Sequence, residues 1–205
     1  MVIGHTLDMA RLIEPVIPPG SMRSLPQSNL EVDDLPYLRP WTLDDGPVVV
    51  AAYNDPDIQW WMPYSYDEDQ AEELIEKWTE TWKRETGACW AIAKRSDNAV
   101  FGRIAFQTID FISGSAEISY WVLSQSRGEG FAARATSALC DWGFNQFGLH
   151  RVQLFHSLHN IASCRVAVKA GFELEATLKS ETLFRDGWHD THLHARIRPA
   201  ESPVN

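Results

Sequence analysis

The chain is poor in cysteine, with Cys89, Cys140 and Cys164 as its only three, an odd number widely spaced and without a C-x-x-C pair. That spacing excludes a disulfide framework, gives no sign of a zinc site, and fits a reducing cytoplasm. Cations are also in deficit: 18 lysines and arginines stand against 28 aspartates and glutamates, for a formal net charge of -10. A sequence-blind grip on nucleic acid neutralises phosphates with Lys and Arg, so this balance argues against nucleic acid and favours cationic partners. No stretch reaches the ~18 apolar residues of a membrane span. Residues 1–20 carry acids and prolines and lack the unbroken apolar core of a secretion signal, so no membrane anchor is expected. Internal repeats and low-complexity tracts are missing too. What is there, 44% hydrophobic and 22% charged over 205 residues, is an ordinary globular composition long enough for one sizeable core.

Residues 1–36, with Pro15, Pro18, Pro19, Gly20 and Pro26, have no sustained period. They read as an extension, either a loosely held tail or an arm wrapping a second subunit. The domain is expected over 37–198, with a tail at 199–205. Thr42 and Asp45 make a capping-box pattern ahead of a short helix with Val48, Ala51 and Ala52 inward, closed by Pro56. Ser65 and Glu68 repeat the pattern before a helix over 66–84, on which Ala71, Leu74, Ile75, Trp78 and Trp82 recur at helical spacing. Strands are expected at 89–94, 100–108 and 116–123, as antiparallel neighbours. A helix over 130–147 ends at Gly148, a strand covers 151–156, and Asn160 caps a helix that runs to Ala170. Two last strands, about 172–184 and 190–197, flank Arg185-Asp186-Gly187. The alternation implies an α/β fold: a mixed, mostly antiparallel sheet flanked by helices.

The most informative stretch is Gln125-Ser126-Arg127-Gly128-Glu129-Gly130-Phe131-Ala132, where a strand ends, a loop turns and a helix starts. The glycines allow close backbone approach, and the first helical N–H groups lack partners inside the helix, so a pyrophosphate suits the junction. Arg127 can add a charge-assisted contact. Ala133 stands where a three-glycine dinucleotide fingerprint needs its last member, and no P-loop lysine follows. The remaining pattern, Q-x-x-G-x-G, resembles the acetyl-coenzyme A loop of the Gcn5-related N-acetyltransferase (GNAT) family. Ala116–Leu123, Gly148-Leu149-His150-Arg151-Val152, Asn160-Ile161-Ala162-Ser163, Lys169-Ala170-Gly171-Phe172 and Asp186-Gly187-Trp188-His189-Asp190 are similar, in order and spacing, to its branch that acetylates ribosomal-protein N-termini. The similarity covers about 37–198.

The resemblance implies acetyl-CoA as donor and a primary amine as acceptor, either a protein N-terminal α-amine or a small-molecule amine. It implies coenzyme contacts from Trp121, Val122 and Leu123, from Gln125 and 127–132 (Arg127, Gly128, Glu129, Gly130, Phe131 and Ala132), and from Asn160 and Ser163. A backbone N–H near Val122 would bond the thioester oxygen. Ala167 stands where many relatives outside the branch carry a tyrosine that protonates the leaving thiolate; Ser163, one turn earlier, either meets the sulfur instead or only supports the helix cap. Glu117, sharing a strand face with Ser119 and Trp121, is the first candidate base, or an ordinary strand glutamate, and Glu181 is the second. Ser119 replaces the branch's usual glycine. Trp60, Trp61 and Tyr64, in the loop 57–64 expected to join the first two helices, border the acceptor side as the resemblance implies. His150, His156, His159, His189, His192 and His194 form no H-E-x-x-H or comparable set, so no metal is expected. A different acyl donor, such as another acyl-CoA or an aminoacyl-tRNA, and a non-catalytic acyl-CoA-binding module remain alternatives, and a homodimer is left open.

Overall fold

The computed structural model describes residues 12–32 and 36–199. Its strands are β1 (Leu30–Glu31), β2 (Tyr37–Pro40), β3 (Ala88–Ala93), β4 (Val100–Asp110), β5 (Ser115–Val122), β6 (Arg151–Ser157), β7 (Glu173–Phe184) and β8 (Gly187–Ile197). They form one sheet in the order β1-β2-β3-β4-β5-β6-β8-β7. Every neighbouring pair is antiparallel except β5–β6. The helices are α1 (Gly46–Tyr53), α2 (Pro56–Trp61), α3 (Glu68–Lys83), α4 (Phe131–Trp142) and α5 (Ile161–Lys169). No helix among the described residues is long and apolar enough to cross a membrane.

The sheet divides the core. Trp90, Ile104, Phe106 and Leu154 pack with Leu139 of α4 and Ala167 of α5. On the opposite face Trp121, Leu123 and Ala91 pack with Val49 of α1, Ile58 of α2 and Ile75 of α3. The two-residue period of β5 serves both halves, Ile118 and Tyr120 facing α4 and α5 while Trp121 faces α1 and α3.

The described part of the extension is no loose tail. Ile17, Met22, Leu30 and Val32 are buried in the α4–α5 half of the core. The Glu85 carboxylate accepts from the N–H groups of Gly20, Met22 and Arg23, and the Trp82 and Trp90 indoles donate to the Leu25 and Ser28 carbonyls. β1 then pairs with β2. Such long-range partners hold a segment that has no period of its own, and residues 16–32 lie on their own domain. Residues 1–11 lie outside the described set, as do 200–205.

Three helix expectations are corrected. The inward residues of α1 are Val49, Ala52 and Tyr53, one step from the expected set, because a 3-10 turn at Leu43–Asp45 precedes it. Pro56 opens α2 rather than closing α1: Asp55 accepts from the Asp57 N–H as its cap, and proline suits a first helical position. The capping box of α3 is Asp67 with Gln70, while Ser65 donates to Asn54.

Thr42 and Asp45 do form their box, and Asp45 also binds Arg39 through two 2.7 Å contacts in a buried site. Burial opposes the Asp45 charge, but the Arg39 guanidinium and the Thr42 N–H outweigh it and hold the carboxyl below its usual range. Asp45→Ala strands a buried guanidinium and is expected to lower stability by about 3–5 kcal/mol in chemical denaturation. A depressed carboxyl stabilises above the unfolded value of ~3.9, and this contribution is lost as pH falls below it towards the folded value. The variant should therefore show a weaker acid dependence below pH ~4 than the parent.

Candidate active site

β5 and β6 pair in parallel only over Ser115↔Arg151, Ala116↔Val152 and Glu117↔Gln153. Beyond Glu117 the strands part, and β6 continues beside β8 while β5 continues beside β4. Leu123 donates its N–H to the Phe101 carbonyl on the β4 side. By strand alternation Trp121 turns its backbone the same way, whereas Tyr120 and Val122 turn theirs to the edge that β6 has left. Of the three strand residues expected to meet the coenzyme, only Val122 presents its backbone to the gap. The Trp121 side chain is buried between Trp41 and Tyr53, its indole N–H without a partner.

At the end of β5 a 3-10 turn, Ser124–Ser126, carries Gln125 at the surface and leads through Arg127 to α4. Gly128 and Gly130 have φ of 86° and 75°, the left-handed region, and a Cβ on either would meet nothing within 4 Å. The backbone calls for glycine, and the space above the loop is open. Gly130 is the N-cap of α4, no side chain caps the helix, and its first internal bond runs from the Arg134 N–H to the Gly130 carbonyl. The N–H groups of Phe131, Ala132 and Ala133 are therefore the free donors of the first turn. Phe131 stacks on Phe101 at 4.6 Å, fixing that turn on the sheet, while Glu129 is exposed.

Arg127 is committed elsewhere, donating to Asp57 at 2.7 Å and to the Val122 carbonyl at 3.1 Å, with Asp55 3.8 Å away. The two carboxylates at the start of α2 draw it from the loop. Arg134, which sequence reasoning missed, stands one turn into α4, with its Nε buried and unpartnered. With Glu129 and Gly130 it lines a groove of ≈1030 Å³ that also reaches Lys169 at the end of α5. Its signal was a basic residue four positions after the second glycine.

Across the gap, Asn160 caps α5 by accepting from the Ser163 N–H at 3.0 Å. Ser163 thus serves the cap by donating its backbone N–H, while its hydroxyl meets the Tyr120 hydroxyl at 2.7 Å. Burial pushes the Tyr120 phenol well above its usual range, so it stays protonated. Tyr120 was also missed: alternation places it opposite Glu117, but its partner is 43 residues away.

Glu117 lies on the other face of β5, with Gln107 donating to its carboxylate. Burial raises its pKa, the Gln107 bond opposes this, and the nearby Glu181 charge adds to the rise. Both base candidates therefore face one space. Trp61 packs edge-on against Phe184 at 5.7 Å, joining α2 to the end of β7. Trp60 and Tyr64 are 41% and 60% exposed and form an aromatic rim. The chain thus holds an open glycine loop at an uncapped helix start, a hydroxyl pair on one face and a raised carboxyl on the other.

A family model described as "Acetyltransferase (GNAT) domain" matches residues 37–173. The "Uncharacterized N-acetyltransferase YoaA" of Bacillus subtilis is 27% identical over 175 residues, 84% of this chain and 98% of that protein. The "Ribosomal-protein-serine acetyltransferase" of Escherichia coli is 32% identical over 101 residues, 49% of this chain and 56% of that one. Among solved structures, a "RimL- Ribosomal L7/L12 alpha-N-protein acetyltransferase in complex with Coenzyme A" superposes with a TM-score of 0.78 at 22% identity, covering 84% of this chain and 99% of that one.

Proposed function

The chain belongs to the GNAT acetyltransferase family, and from that premise we propose that it moves the acetyl group of acetyl-CoA to the α-amine of a peptide or protein N-terminus in the cytoplasm. The observation that carries this reading is the parted β5–β6 edge, with Ser163 and Tyr120 on one face and Glu117 on the other. The pyrophosphate takes the free N–H groups at the start of α4, with Arg134 beside them. The pantetheine arm extends along the open edge of β5, and the Val122 N–H bonds the thioester oxygen.

The amine enters from the side of Trp60, Trp61 and Tyr64. Its nitrogen attacks the thioester carbon, the C–S bond breaks, and the amine proton passes to Glu117. The leaving thiolate takes the Ser163 hydroxyl proton, which is replaced from solvent as Glu117 releases the amine proton to solvent, while Tyr120 orients that hydroxyl. The products are the N-acetyl amine and coenzyme A. An α-amine with a pKa near ~8 is already partly neutral at pH 7, so one carboxylate of raised pKa suffices as base.

Calorimetric titration with acetyl-CoA and coenzyme A, followed by thiol release over a panel of peptides and small amines, tests the reading. Micromolar-range binding with turnover of peptide N-termini supports it. Turnover of small amines alone would move the acceptor to that class, and failure to bind either coenzyme would overturn the donor assignment. Ser163→Ala is expected to lower kcat by about 10–100-fold with unchanged acetyl-CoA affinity. Tyr120→Phe, acting through Ser163, should cost less and leave KM in place.

A further inference from the structure

On the α5 side of the sheet, away from Glu117, the fold gathers four metal-ligating side chains that the transfer reaction does not use. His156 on β6 pairs in register with His192 on β8, and His194 lies two residues further along the same face. Their rings lie 5.1–5.7 Å apart, centroid to centroid. Cys164 of α5 completes the group, with one ligand atom from each of the four residues within 4.8 Å of all the others.

The hydrogen bonding within the group points to a ligand. His156 Nδ1 lies 2.8 Å from the Ser157 carbonyl, which can only accept, so Nδ1 carries the proton and Nε2 is left with its lone pair. That Nε2 is buried and unpartnered, as are Nδ1 of His192 and both ring nitrogens of His194, a residue only 2% exposed. Buried polar atoms are seldom left without partners, and here four ring nitrogens on three neighbouring histidines are.

We propose that His156, Cys164, His192 and His194 bind a Zn²⁺ ion. Three imidazole nitrogens and one thiolate suit this borderline-soft cation and offer no oxygen to Mg²⁺ or Ca²⁺. A tetrahedral ion with bonds of about 2.0–2.3 Å brings its ligand atoms to roughly 3.4–3.7 Å from one another, so the side chains need to close by little more than an ångström. On binding, the Cys164 thiol proton is released to solvent as the S–Zn bond forms. Four protein ligands leave no open position, which makes the site structural. It fastens α5 to β6 and β8 one residue from Ser163, so occupancy would hold the helix turn that presents the Ser163 hydroxyl.

The test is metal binding by the tag-free protein, stripped with a chelator and titrated with Zn²⁺ against a chromophoric competitor, then with Co²⁺. About one equivalent is expected, with a tetrahedral Co²⁺ spectrum that includes a thiolate charge-transfer band. Cys164→Ser should abolish that band and weaken Zn²⁺ at least ~100-fold, more than the loss of an outer hydrogen bond to a metal ligand costs. His192→Gln, a partly exposed position, should weaken Zn²⁺ similarly and keeps the test decisive if the cysteine variant folds poorly. Sub-stoichiometric binding by the parent, a Co²⁺ spectrum without thiolate character, or an affinity that neither variant alters would overturn the site.

Discussion

Gly130→Asp is expected to weaken acetyl-CoA binding at least ~100-fold in calorimetric titration while leaving the fold intact. Gly130 has φ of 75°, a region that aspartate tolerates better than most residues, and its Cβ would meet no atom within 4 Å. As an N-cap carboxylate it would accept from one free N–H of α4 and favour the helix dipole, which offsets the backbone strain, so thermal stability should change little. That N–H is among the donors the pyrophosphate needs. Losing charge-assisted bonds of about 1.5–3 kcal/mol and adding like-charge repulsion give the stated factor. Gly130→Ala carries the backbone strain, about 1–2 kcal/mol, without the charge, so its effect separates geometry from electrostatics. Equal affinity in the parent and the aspartate variant would place the coenzyme elsewhere.

What was legible in the sequence is local. The strand-loop-helix junction, the Gly148 end of the π-helical turn Gly143–Phe147 that continues α4, and the Asn160 cap depend on residues within a few positions of one another and appear where expected, while the last hairpin turns more tightly, with β8 starting at Gly187 rather than near 190. What was not legible depends on distant partners or on signals with two meanings. Asp55-Pro56 can end one helix or begin another, and here it begins α2. Two overlapping cap patterns, Ser65/Glu68 and Asp67/Gln70, precede α3, and the later one forms.

Arg127 reads as a phosphate ligand in the sequence, and the contact that the sequence does not show is with Asp57, 70 residues away, at 2.7 Å. The extension is held by two tryptophans and a glutamate that lie about 60 residues further on. The histidines match no helical metal motif, and the proposed Zn²⁺ site rests instead on H-x-H on one strand. It sets His192 and His194 on one face, and only the β6–β8 register adds His156.

Glu117→Gln is expected to lower kcat/KM by about 10²–10⁴-fold at neutral pH, the range for loss of a general base. The substitution keeps shape and hydrogen-bonding capacity, and Glu117 is half-buried on a strand whose packing comes from Ile118 and Trp121, so stability should change little. The pH profile distinguishes a base from a structural glutamate. Burial, with the nearby Glu181 charge, raises the Glu117 pKa, so its active, deprotonated form is lost on acidification at a pH above the ordinary carboxylate range. In the parent, kcat/KM should therefore fall on the acid side with two ionisations, the acceptor amine near ~8 and this carboxyl. In Glu117→Gln the lower ionisation should vanish and the amine alone should shape the profile. Glu181→Gln removes the neighbouring charge without removing the base, so it should move the lower ionisation to more acidic pH and leave the plateau rate nearly unchanged. If Glu181→Gln instead abolishes activity and Glu117→Gln does not, the proton passes to Glu181, and the acceptor amine must lie on the β7 side of the gap.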